Sequence, residues 1–65
     1  MMTPEVKDRL VNEASELYEK IGKLALFLQS KDFDGLSSEN QELLKRQYEL
    51  MIEYHQVLLQ RIKIN

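Results

Sequence analysis

The chain has 65 residues, 43% hydrophobic and 31% charged, with a net charge of −2. That length allows one domain, residues 1–65, and that composition excludes a disordered chain. With no cysteine and one histidine, it has no disulfide framework or thiolate metal site and too few ligands for zinc; the near-neutral charge argues against nucleic-acid binding, which draws on a basic patch. No cofactor is implied. The opening MMTPEVKDR lacks the apolar stretch of a signal peptide. No apolar run approaches the ~18 residues of a membrane span, so the expected location is the cytoplasm, away from membrane.

The first predicted helix runs from about residue 4 to 30. Thr3 is placed to cap it, Pro4 suits the first helical position, and Glu5 lies in the first turn. Apolar residues recur at Val6, Leu10, Ala14, Leu17, Ile21, Leu24 and Leu28, in steps of four and three. Val11, Tyr18 and Ala25 widen that face. Gly22, in the middle, costs about 1 kcal/mol of helix propensity relative to alanine and reads as a notch for close helix packing.

Next comes KDFDG, a set of turn formers with a glycine able to take positive φ, so a turn is expected over 31–37. LSSENQ restarts a helix. Ser37 or Ser38 caps it, and with Ser38 the capping-box position falls on Gln41. Leu36 covers the entry.

The second long helix spans about 38–63 without glycine or proline. Two apolar rows run down it at heptad spacing. One holds Leu43, Leu50, Tyr54, Val57 and Ile64, interrupted by Gln47 and Arg61. The other holds Leu44, Tyr48, Met51, Leu58 and Ile62, interrupted by His55. After Glu53 no acid follows, while Arg61 and Lys63 remain, a distribution suited to the C-terminal end of a helix dipole. The short connection makes the two helices antiparallel neighbours. The fold class is therefore all-α, an antiparallel two-helix hairpin.

One hairpin touching along one seam buries too little apolar surface to offset the ordering of its chain. Each helix also carries more apolar surface than one partner needs. A homo-oligomer, a dimer or larger, is expected, with hairpins assembling into a helical bundle. Within such an assembly Gln47, His55 and Arg61 serve either as register-setting residues or as a polar pocket between subunits. In that pocket Arg61 would fork onto a phosphate while Tyr48 or Tyr54 stacks on a ring.

No catalytic constellation is present. His55 sits mid-helix, and Ser15, Ser30, Ser37 and Ser38 lack a nucleophile elbow. Glu13/Glu16 and Glu49/Glu53 lie on rows read as solvent-facing, and no Glu-x-x-His pair or glycine-rich phosphate loop occurs. An enzyme is not expected.

The segments RLVNEASELYEKIGKLALFLQS and FDGLSSENQELLKRQYELMIEYHQVLLQRI resemble a family of very small phage and prophage helical-hairpin proteins, over roughly residues 9–62. The shared pattern is R-L, E-x-x-E-L, K-I-x-K-L-x-x-F-L, a short turn, L-S-x-x-x-Q-x-L-L, M-x-x-Y and L-x-x-R-I. More distantly, Leu10–Val11–Asn12–Glu13 and Leu59–Gln60–Arg61 are similar to the hairpin domain of phage anti-CBASS and anti-Thoeris sponges. Those oligomers sequester cyclic nucleotide immune signals. The resemblance implies a ligand role for Arg61 and a weaker one for Asn12. Ser15 stands where that family has a lysine, and its glycine-tyrosine-arginine segment is missing, so a base-stacking tyrosine falls to Tyr18, Tyr48 or Tyr54. The expected function is a phage-encoded, non-enzymatic sponge for a cyclic nucleotide, with Arg61, Asn12, Tyr54, His55 and Gln47 as ligand-binding candidates. The alternative is a structural adaptor whose exposed apolar helix face docks a host or phage protein.

Overall fold

The structure, a computed structural model, describes residues 4–64. Two long helices lie antiparallel, α1 (Pro4–Leu28) and α3 (Ser38–Lys63), with a single helical turn, α2 (Lys31–Asp34), between them. No strand occurs among the described residues. The result is a rod of 47 × 15 × 12 Å. The expected cap at Thr3 lies outside the described residues.

The bend differs in detail from the sequence expectation. The first helix ends at Leu28, two residues early, and residues 31–34 form a helical turn instead of irregular chain. Ser30 causes both. Its backbone is extended, with φ −89° and ψ 163°. Its hydroxyl donates to the Phe27 carbonyl at 2.6 Å and accepts from the Phe33 N–H at 3.2 Å. One side chain thus closes α1 and caps α2. Gly35 has φ −79°, a right-handed value, so the turn does not use the positive φ that glycine permits.

Ser37, not Ser38, caps α3, accepting the Asn40 N–H at 3.2 Å. Gln41 is therefore not in a capping box. Its side-chain amide reaches back to the carbonyls of Phe33 at 3.0 Å and Leu36 at 3.2 Å, adding to the Leu36 N–H that the Phe33 carbonyl already accepts at 3.1 Å. Phe33 is buried, with Phe27 edge-on at 6.3 Å and the Lys45 ammonium 5.8 Å from its ring centroid.

The core is a narrow seam. Leu10, Ala14 and Leu17 of α1 close around Leu58 of α3, flanked by Ile21, Met51 and Ile62. Leu58 is 0% exposed. The rows of α3 separate cleanly. Leu44, Tyr48, Met51, His55, Leu58 and Ile62 are all buried or half-buried. The other row is exposed throughout, from Leu43 to Ile64. Gly22 is exposed as well. A Cβ built on it meets nothing within 4 Å, so it is not a notch within the hairpin.

Candidate functional site

Among the described residues two grooves stand out, one between α1 and α3 and one along α3. The first, about 490 Å³, is walled by Val11, Ala14, Leu59 and Ile62, with Ser15, Tyr18, Glu19 and His55 supplying polar atoms. His55 sits one residue past Tyr54, about 100° around the helix, which turns its ring towards α1. There it meets Tyr18, centroid to centroid at 5.7 Å and tilted by 42°. The interruption in the inner row is therefore an aromatic contact at the edge of the seam.

The second groove, about 540 Å³, runs along the exposed row of α3. Leu43, Leu50 and Met51 form its floor, and Arg46, Gln47 and Tyr54 its rim. Both volumes fall in the range of small-molecule sites, roughly 300–1,000 Å³. This groove is lined almost entirely by one helix. The heptad spacing explains that: residues 43, 47, 50 and 54 project to one side while the neighbouring row faces α1. Gln47 makes only a weak contact, with the Met51 sulfur at 3.9 Å.

Beyond Tyr54, two turns towards the C-terminus, lies Arg61. The Tyr54 hydroxyl donates to the carboxylate of Glu13 on α1. That bond, with some desolvation and the negative charge of Glu13, raises the Tyr54 pKa above 10.0, while the Arg61 guanidinium acts in the opposite sense. Tyr54 is thus held as a neutral donor with an acid on one side and a cation on the other.

The five sequence candidates divide accordingly. Arg61, Tyr54 and Gln47 share the exposed row. Gln47 and Arg61 stand about 21 Å apart along one helix by helical rise, so they do not meet within a chain. His55 belongs to the opposite groove. Asn12 is exposed on α1, beside the Glu13 that bonds Tyr54. Sequence reasoning missed two participants. Glu13 is solvent-exposed, as expected, but its link to Tyr54 depends on the register between helices, 41 residues apart in sequence. Arg46 sits on the groove rim and carried no sequence signal beyond its charge. Among the described residues no cluster of three or more His, Asp or Glu is placed to hold a metal, and no helix is long and apolar enough to cross a membrane.

A family profile described as Sequestin matches residues 4–64, nearly the whole chain. The chain belongs to the Sequestin family. No curated protein and no solved structure matches it.

Proposed function

We propose that this Sequestin-family hairpin is a phage-encoded, non-enzymatic sponge that binds a nucleotide immune signal, a cyclic oligonucleotide or related messenger, in pockets between subunits in the host cytoplasm. Membership of the family carries the reading, since the family name denotes sequestration. The geometry adds the chemistry. An apolar groove of about 540 Å³ has an aromatic ring, a guanidinium and an amide at its rim, which are groups that stack on a base, fork onto a phosphate and read an edge. Arg61 lies on the same row. The groove is open on the side away from its own helix, so a second subunit is needed to enclose a ligand. Sequestration is binding without turnover, so the reading assigns no catalytic residue.

The test is thermal melting of the protein against cyclic mono-, di- and trinucleotides and ADP-ribose derivatives. A ligand at one hundred times its Kd adds about 2.7 kcal/mol, which in a domain this small raises Tm by roughly 10–20 °C. Arg61→Leu should abolish the response. Arg61→Lys should weaken it, because a point charge cannot fork onto two phosphate oxygens. No shift across the whole panel would overturn the sponge and favour the adaptor reading, in which the exposed row of α3 docks a protein.

A further inference from the structure

The exposed row of α3 has a regularity that a ligand groove alone does not require. Its residues follow steps of four and three without a break from 43 to 64. Every second member is aliphatic: Leu43, Leu50, Val57 and Ile64. The members between them are Gln47, Tyr54 and Arg61. This is the seam of a coiled coil, yet α1 does not cover it. The hairpin also has surplus surface. Its accessible area is 5411 Å², whereas folded monomers of this mass expose about 4,300 Å². The surplus, roughly 1,100 Å², compares with the ~800 Å² that each partner buries in a standard stable interface.

Direction follows from which members of the row face each other in the seam. A parallel partner would place Arg61 against Arg61 and Tyr54 against Tyr54. An antiparallel partner interleaves the rows, setting each aliphatic residue against a polar one. The two registers of this kind with the most overlap place the partner's Arg61 opposite Leu43 or opposite Leu50. Both deliver it within about one helical turn, ~6 Å of rise, of Gln47 and Arg46.

From this we infer that a second copy of the chain docks antiparallel on the exposed row, α3 against α3, and that each protomer's Arg61 enters the other's groove beside Arg46 and Gln47 to form a shared two-guanidinium site for a ligand carrying two adjacent phosphate charges. The inference rests on the sponge reading only for the ligand; the docking stands on the heptad row and the surplus surface. It also gives Gln47 and Arg61, too distant to cooperate within a chain, a common task. Two guanidinium groups brought together repel until an anion bridges them, so ligand and dimer stabilise each other.

The native chain has no cysteine, which makes cross-linking clean. Gln47→Cys and Arg61→Cys chains are mixed and treated with a short bis-maleimide. The antiparallel dimer predicts a strong product joining the two different chains and little product from Arg61→Cys alone. Efficient cross-linking of Arg61→Cys to itself, or no product in the mixture, overturns the docking. The second arm uses inorganic pyrophosphate as probe on the unmodified protein. It should raise Tm in the native chain and fail to do so in Arg46→Gln and Arg61→Gln. If the cysteine pair cross-links as expected but the unmodified native protein is indifferent to pyrophosphate, the two-cation site is overturned. Neither arm depends on the nucleotide panel, so failure of the sponge reading and failure of this one are told apart.

Discussion

The two rows of α3 differ by about 100° of rotation and by their polar interruptions, His55 on one and Gln47 and Arg61 on the other, and they meet opposite fates. The inner row closes on α1, with Leu58 at 0% exposure as its deepest point. The outer row leaves Leu43 57%, Leu50 53% and Val57 50% exposed. Its polar members explain the choice. An amide and a guanidinium pointed at α1 would be buried without enough partners, at a cost of a few kcal/mol each. His55 is tolerable on the inner row because its ring rests on Tyr18 at the edge of the seam. The hairpin thus uses its more apolar row on itself and keeps the row with Gln47, Tyr54 and Arg61 outward. One helix presents a covered row and an exposed apolar row.

A charge on the inner row does the most damage. Leu58→Asp should abolish helicity in circular dichroism at any protein concentration, because the carboxylate has no partner where it lands. Leu58→Ala should cost about 2–4 kcal/mol, read by thermal melting. Next is the outer row. Leu50→Glu should disperse the assembly, read by light scattering after gel filtration. The native Tm should rise with protein concentration, as linkage requires of an associating protein, and Leu50→Glu should remove that dependence. If both substitutions acted alike at every concentration, the division into rows would be wrong.

Gly22→Ala sharpens the contrast from the α1 side. With open space around its Cβ position, alanine should stabilise the hairpin by about 0.8–1 kcal/mol, measured by thermal melting. A loss instead would show that another subunit packs against Gly22. The smallest effect concerns Tyr54. Its raised pKa means that folding favours the neutral phenol. The contribution is present below 10.0, the ordinary value, and is lost as pH rises through the higher value of the folded state. An ultraviolet titration should contain a late-ionising component that Tyr54→Phe removes.

The helices, their antiparallel pairing and the existence of a surplus apolar row were legible in the sequence, because periodicity records which side of a helix must be covered. The details of the bend were not. Ser30 and Gln41 act through side-chain bonds to carbonyls that become available only once the chain has turned. Gly22 looked like a notch because a mid-helix glycine usually has a packing reason, and within the hairpin it has none. Of the candidate site, the row shared by Gln47, Tyr54 and Arg61 could be read from spacing. The Tyr54–Glu13 bond could not, since it depends on how far one helix is slid along the other. That His55 and Tyr54 face different ways was legible from their rows, but the contact of His55 with Tyr18 was not, because it depends on where α1 lies.

On this reading the exposed row of α3 is an interface between subunits. Sedimentation equilibrium of the native chain across the micromolar range tests it most directly. A dimer predicts about twice the chain mass of 7.7 kDa, falling towards one chain mass in Leu50→Glu. A stable, folded single chain throughout that range would contradict it.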